Sequence, residues 1–257
     1  MTGYSIGSLE RGMKILELLA GNNEPMGVTD LARILNLDKS MVFRLLATLK
    51  AKGYVEQNPE TRKYTIGLKM VTLGSRILGN NDIYLQTKPV MKKVLKATNE
   101  TVHLAMLMDN QAVYIAQEVS PKVISFNTEI GRREPLHCTA VGKALVAFLP
   151  EEQLDVILQE LGFTRYTAKT ITSPQAFKAH CLEIRDRGYA VDDEELHKGV
   201  RCIAAPVRGY DSTVLASLGI SGPATRLRMG RIPRLAEIVV RYAQEASARL
   251  GYVPPAG

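Results

Sequence analysis

The chain of 257 residues has no apolar run approaching the roughly 18 to 20 residues that cross a bilayer as a helix. Its first residues lack the basic-then-apolar order of a signal peptide, because Glu10 and Arg11 arrive early. The expected location is therefore the cytoplasm, with no membrane partner. Cysteine is scarce: Cys138, Cys181 and Cys202 are odd in number, far apart and form no CxxC pair. Neither a disulfide framework nor a cysteine zinc site is expected from that pattern. His103, His137, His180 and His197 show neither HxxxH nor HExxH spacing. His137, Asp192, Asp193 and Cys202 are the groups that a distant assembly would draw on, but no metal and no cofactor are expected. Enzyme signatures are missing too, with no GxSxG elbow and no dinucleotide GxGxxG. Thr139-Ala140-Val141-Gly142-Lys143 imitates a phosphate loop, yet His137 and Ala144 occupy the places that need glycine and Ser or Thr. Lys143 is expected instead in the first turn of a helix. Internal repeats and low-complexity stretches are absent.

What remains is an ordinary globular composition, 46% apolar and 23% charged, long enough for two domains. The net charge is +7. Residues 1–80 carry 11 Lys+Arg against 7 Asp+Glu, and the other 177 residues carry 22 against 19. The excess is denser at the N-terminal end and suits a polyanionic partner.

The informative stretch is 28–66. A first helix is expected over about Ile6 to Ala20, with Ile6, Leu9, Met13, Leu16 and Leu19 or Ala20 at helical spacing, broken by Gly21-Asn22-Asn23-Glu24-Pro25. Thr29 is the expected N-cap of a second helix that turns Leu31, Ile34 and Leu35 inward. Asn36-Leu37-Asp38 makes a turn, with Asp38 capping a third helix. There Val42, Leu45, Leu46 and Leu49 form one buried stripe. Lys39, Ser40, Phe43 and Arg44 then lie away from the core. Gly53 ends the helix as a C′ glycine. Strands at 54–57 and 63–66 flank the turn 58–62 and place Arg62 and Lys63 at its tip. Helix, turn, helix and hairpin in this order make a winged helix-turn-helix, which sets its second helix in the DNA major groove. Residues 39–63 hold six basic residues and two acids. Ser40 and Arg44 are the candidates for base edges; Lys39, Arg62 and Lys63 are candidates for phosphates.

A helical connector is expected over 68–82. Beyond it, helices are expected at 83–97, 140–148, 151–160, 174–187 and 230–250, and strands at 102–108, 112–118, 123–130, 189–192, 202–207 and 214–221. The last helix sets Ile232, Leu235, Ile238, Val239 and Tyr242 on one side. The mixture predicts an α+β sheet domain with helices packed on it. Alternation over 213–221 puts Leu215, Ser217, Gly219 and Ser221 on one face, short of side-chain volume, where a cavity or a close helix fits. Asp192 ends a strand and is aimed inward, whereas Asp193 to Glu195 read as a solvated loop.

The chain resembles the IclR family of bacterial transcription regulators over nearly its whole length. The resemblance rests on residues 8–16 and 38–46, on Pro135-Leu136-His137-Cys138-Thr139-Ala140-Val141-Gly142-Lys143, and on the stretches 187–195, 199–207 and 219–223. It implies a winged helix-turn-helix over 1–67, a helical linker over 68–82 and a GAF-like effector-binding and oligomerisation domain over 83–257. It also implies a homodimer joined through the N-terminal region, assembled further into a tetramer in many members. The effector residues it implies are Ala140, Val141, Asp192, Cys202, Gly219 and Ser221. Gly219 stands where some carboxylate-binding members have a hydroxyl, and Ala140 where they have glycine, which counts against a small keto-acid ligand. The expected function is regulation of a catabolic operon by an organic, sugar or aromatic acid, without enzymatic activity. The alternatives are a metabolite-converting enzyme with an appended DNA-binding module and a ligand-free architectural DNA-binding or protein-interaction module.

Overall fold

The computed structural model describes residues 6–22, 24–73 and 82–253. The chain divides into two compact units, Met1–Asn80 and Asn81–Gly257. Of the expected connector, residues 69–73 are helical and 74–81 lie outside the described residues.

The first unit runs α1 (Gly7–Gly21), α2 (Val28–Leu35), α3 (Lys39–Ala51), β1 (Val55–Gln57) and β2 (Tyr64–Ile66). Its core joins Ile15 and Leu19 of α1 to Met26, Leu31, Ala32, Val42, Leu46, Val55 and Tyr64. Helix α1 buries only part of the expected stripe: Leu19 is buried and Leu16 half-buried, but Ile6, Leu9 and Met13 are exposed and Ile15 takes the central core position instead. Both stripes have helical spacing, and the contact of α1 with α3 and β2 decides between them. The start of α2 also differs. Gly27, not Thr29, is the N-cap, and the Asp30 carboxylate accepts the Gly27 N–H at 3.3 Å. Leu31 and Ala32 face in, while Ile34 is exposed. Asp38 occupies the N-cap of α3, but its side chain makes no capping hydrogen bond. Val42 and Leu46 are fully buried in α3, and Leu45 and Leu49 pack against them.

Helix α3 ends as its sequence demands. Gly53 takes φ +77°, its N–H reaches the Lys50 carbonyl at 2.9 Å, and the Tyr54 N–H reaches Leu49 at 2.9 Å. That is the paired closure of a Schellman motif. It turns the chain directly into β1, which pairs antiparallel with β2.

The second unit is a six-stranded antiparallel sheet in the order β5-β4-β3-β8-β7-β6. Its strands are β3 (Thr101–Met108), β4 (Gln111–Glu118), β5 (Arg133–Glu134), β6 (Ala190–Asp193), β7 (Val200–Arg208) and β8 (Val214–Pro223). Helices α4 (Asp82–Thr98) and α8 (Ile232–Arg249) cover one face, meeting Val102, Leu104, Ala216, Leu218 and Ile220. Helices α5 (Ala140–Val146), α6 (Glu151–Glu160) and α7 (Pro174–Arg187) cover the other, meeting Ala105, Ala112, Tyr114 and Ala204. Of the expected stripe on α8, Ile232, Leu235 and Val239 are buried, and Ile238 and Tyr242 are half-buried. Asp109 and Asn110, both at positive φ, form the two-residue turn between β3 and β4.

Two expectations fail here for physical reasons. The strand expected over 123–130 does not form, and β4 pairs with Arg133 and Glu134 instead. Val123, Ile124 and Ile130 point outward, so the apolar content of that segment is not a buried face. The strict alternation expected along β8 breaks at its start. Val207 pairs with Ala216 and Arg208 with Val214, so Leu215 is bulged and Val214 packs with the α5 side of the core. Beyond the bulge, Ser217, Gly219 and Ser221 share the face turned away from Leu218 and Ile220.

Alanine at position 53 would find room, since its Cβ meets the Lys69 Cβ at 3.6 Å, an ordinary contact. The cost of Gly53→Ala is then conformational alone, about 1 kcal/mol. It will be read as a lower denaturant midpoint for the N-terminal unit with the C-terminal transition unmoved.

Candidate functional site

Two sites emerge, one on each unit. On the first, burial of Val42 and Leu46 turns the opposite side of α3 outward. Lys39, Ser40, Phe43 and Arg44 are all exposed there. The wing is built by Asn58, whose side-chain oxygen accepts the N–H groups of Glu60 at 2.9 Å and Thr61 at 3.0 Å. Arg62 then adopts φ +59°, and Gln57 donates to its carbonyl at 3.2 Å. Arg62 and Lys63 are exposed. A shared groove is lined by Phe43 of α3, by Gln57, Thr61, Arg62 and Lys63 of the wing and by Gly27 to Asp30. Among the described residues no carboxylate pairs with Lys39, Arg44, Arg62 or Lys63. Four unneutralised cations beside a protruding helix are an electrostatic fit to a phosphate backbone.

On the second unit, a cavity lies between the sheet and α5. Ala140, Val141, Asp192, Cys202 and Gly219 line it, together with His103, Tyr114, Phe126, Glu134, Thr139 and His197. Its volume is about 20 Å³. The local sequence explains the space. Thr139 caps α5, accepting the Gly142 N–H at 3.1 Å while its hydroxyl donates to the Pro135 carbonyl at 2.7 Å. This draws α5 so close to the preceding loop that a Cβ on Gly142 would lie 2.6 Å from the Leu136 Cα. Gly219 faces Val141, whose Cγ1 would stand 3.3 Å from an added Cβ, and the Ile203 carbonyl would stand at 2.8 Å. The Ile203 carbonyl and the Ala204 Cβ at 2.9 Å, more than Val141, thus leave no room for a side chain at 219.

Ser221 is the one implied effector residue that does not border the cavity. Its hydroxyl is hydrogen-bonded to His103 Nε2 at 2.6 Å, and His103 does border it. The other ring nitrogen, Nδ1, is buried without a partner among the described residues. Burial drives the His103 imidazole down to about 4, so it is neutral at pH 7. Asp192 is pushed the opposite way, to about 7, chiefly by burial, against the opposing pull of Lys143 and the backbone N–H of Glu195. Burial, with Asp192 beside it, likewise raises the Cys202 thiol far above its ordinary range.

Behind Asp192 stands a buried ion pair. Lys143 has no exposed surface, and its ammonium donates to the Val191 carbonyl and to Glu195 Oε1, both at 2.5 Å. The Glu195 N–H in turn donates to Asp192 at 2.7 Å. Asp193 to Glu195 are therefore not a solvated loop. Asp193 pairs with Lys169 and Arg201, and Glu194 with the same two cations. His137 is a loop residue whose Nε2 is held by the Thr164 carbonyl at 3.0 Å. Among the described residues no group of three His, Cys, Asp or Glu is placed to hold a metal ion, and no helix is long and apolar enough to cross a membrane.

Sequence reasoning missed His103, Tyr114, Phe126, Glu134 and His197. The pairing of His103 with Gly219 across β3 and β8 brings the first to the small-residue face. Strand pairing was the signal that could have found it. Phe126 has no such signal, since it sits in the irregular segment, 6.4 Å from the His103 ring and 6.0 Å from His197.

A winged helix with a basic outer face, followed by an α/β domain that encloses a mostly apolar cavity bearing a few polar groups, is the arrangement of a ligand-responsive DNA-binding protein. Comparison with known proteins sharpens the class. Residues 8–59 match the IclR helix-turn-helix domain, and residues 75–248 match the bacterial transcriptional regulator IclR C-terminal domain. The chain is 35% identical to the HTH-type transcriptional regulator XynR of Escherichia coli K12, covering 96% of this chain and 98% of that one. It is 36% identical to KdgR of the same organism, covering 96% and 94%. The crystal structure of the Thermotoga maritima IclR superposes with a TM-score of 0.78 at 29% identity, covering 96% of this chain and all of that one. An IclR regulator from Alicyclobacillus acidocaldarius gives 0.85 at 25%, with 96% and 100% covered. The chain belongs to the IclR family: it is a transcriptional regulator with an N-terminal DNA-binding domain and a C-terminal effector-binding domain, and not an enzyme.

The folded state holds a proton on Asp192 up to pH of about 7, whereas the ordinary carboxyl value is 3.8. The folded state thus binds more protons between those limits, so its stability falls as pH rises from about 4 through 7. Urea midpoints at pH 5 and pH 8 will show wild type losing stability relative to Asp192→Asn, in which this slope is gone.

Proposed function

We propose that the protein controls a catabolic operon in the cytoplasm as a homodimer, with one metabolite molecule per C-terminal cavity setting operator affinity. The observation that carries the reading is the pairing of a basic face on α3 and the wing, free of ion pairs among the described residues, with a cavity bordered by His103, whose buried Nδ1 has no partner among those residues. In this reading α3 enters the major groove of one half-site. Ser40 and Arg44 meet base edges, Phe43 lies beside them, and Lys39, Arg62 and Lys63 neutralise phosphates. Two subunits present two such helices to a pseudo-palindromic operator. The exposed apolar stripe Ile6, Leu9 and Met13 of α1 supports a second copy of the chain at the N-terminal unit. A tetramer forms as a dimer of such dimers.

The effector contacts Ala140, Val141, Asp192, Cys202 and Gly219, and Ser221 acts through His103. Control of an operon is supported by relatives such as the acetate operon repressor of Salmonella typhimurium, 34% identical over 246 residues. The acceptors Asp192 and Glu134 and the neutral His103, with Phe126 and Tyr114 beside them, favour a ligand rich in hydroxyl groups. Within the organic acids, that selects sugar acids and hydroxylated aromatic acids. Coupling to DNA requires unequal effector affinity for the two arrangements of the DNA-binding heads.

Arg44→Ala is expected to weaken binding to the chain's own promoter fragment by about 1–3 kcal/mol and to leave binding to random DNA nearly unchanged. A gel-shift titration on both DNAs checks it; equal losses would make Arg44 a phosphate contact. Ser221→Leu is expected to abolish the effector response while operator affinity persists. Calorimetry with the ligand found in a thermal-shift screen of hydroxylated acids measures this, and an unchanged affinity would overturn the placement of the effector.

A further inference from the structure

Most of the exposed side of α3 is polar, and its exception is informative. Phe43 is 57% exposed and is not part of the core cluster that holds Val42, Leu45, Leu46 and Leu49. A bare aromatic ring in water forfeits the burial free energy that such a side chain ordinarily gains. Its neighbours on this side, Lys39, Ser40 and Arg44, all carry hydrogen-bond donors. The ring carries neither donor nor acceptor. In the major groove every base edge offers donors or acceptors, and one group alone is apolar, the C5-methyl of thymine.

The position of the ring narrows the match. Phe43 lines the same groove as Gln57, Thr61, Arg62 and Lys63 of the wing. With the wing cations on a phosphate strand, the ring lies on the flank of α3 nearest that strand. The methyl group projects from the pyrimidine edge into the major groove beside the backbone of its own strand. The two apolar surfaces then face one another across the floor of this groove.

We propose that Phe43 reads a thymine in each operator half-site, packing its ring on the base's C5-methyl group. This rests on the reading of α3 as the helix that enters the major groove. It makes Phe43 a specificity-determining residue: adenine, guanine and cytosine offer its ring no apolar partner at that position. Arg62 and Lys63 fix the depth of the ring without choosing the base.

The test uses the full chain and its own promoter fragment. Operator half-sites are first located by selecting bound sequences from a randomised pool. Each thymine of the half-site is then replaced singly by deoxyuridine, which removes the methyl and nothing else, and affinities are measured by gel shift for wild type, Phe43→Ala and Phe43→Leu. One thymine per half-site is expected to respond, with wild type weakened about four-fold by loss of its methyl. Phe43→Ala is expected to bind the thymine and uracil operators equally, and Phe43→Leu to retain part of the discrimination. Retained affinity of both variants for random DNA at low salt reports that the fold is intact. Wild type that binds its operator yet ignores every thymine-to-uracil change overturns the assignment and leaves the DNA-binding reading standing. So does Phe43→Ala with full sensitivity to the methyl, or with a changed oligomeric state in place of a changed base preference. A wild-type protein that binds no promoter DNA overturns both.

Discussion

The ammonium of Lys143 is the constraint around which the C-terminal unit is organised. It is enclosed completely, and its two recorded partners lie 48 and 52 residues away in sequence. One is the carbonyl of Val191 in β6 and the other is Glu195 in the loop that follows. Helix α5 is thereby tied to the strand that carries Asp192. Both contribute lining residues to the cavity, so this ion pair ties Ala140 and Val141 to Asp192 across it. A buried pair of this kind contributes little net stability, because desolvation offsets attraction, but breaking it strands a charge at a cost of about 3–5 kcal/mol. Its value here is geometric. Ala140 and Val141 cannot drift from Asp192 without exposing a lysine that has no other solvation.

The same economy of position governs the N-terminal unit. Its core is small, and α3 spends only one side on it. That leaves Lys39, Ser40, Phe43 and Arg44 free, and the Schellman closure at Gly53 aims the wing so that Arg62 and Lys63 share their groove. Each of these residues is exposed for a reason that can be traced to a buried neighbour. Removing Val42 or Leu46 would disturb the recognition side as surely as removing Arg44.

The order of elements was legible in the sequence because short-range physics sets it. Helical spacing located α3, Gly53 marked its end, and the helices at 151–160 and 174–187 carry their own boundaries. The fold class followed from that order, and the family from the resemblance of the stretches 8–16, 38–46, 135–143, 187–195, 199–207 and 219–223. What was not legible depends on partners distant in the chain. In α1 two apolar stripes are equally helical, and tertiary contact selected the one through Ile15. Asp193 to Glu195 looked solvated because Lys143, Lys169 and Arg201 are not their local neighbours. Residues 123–130 read as a strand from apolar content, although Val123 and Ile124 face water. The cavity was half legible. Alternation put Gly219 on a small-residue face and Asp192 stood at a strand end, while Ala140, Val141 and Cys202 came from the family resemblance; His103 needed the register of β3 against β8, and Phe126 needed the path of an irregular segment.

The volume of the cavity has a kinetic meaning. About 20 Å³ accommodates a single water molecule, far less than a sugar or an aromatic ring. Under the proposed placement of the effector, a metabolite enters only when part of this lining opens. Such a gate places a first-order step in series with encounter, so the observed rate of complex formation levels off as ligand concentration climbs, instead of rising in proportion. It also lowers apparent affinity by the fraction of time the gate stands closed. A tight-shut vestibule of this sort makes the regulator slow to notice brief metabolite pulses and faithful to sustained ones.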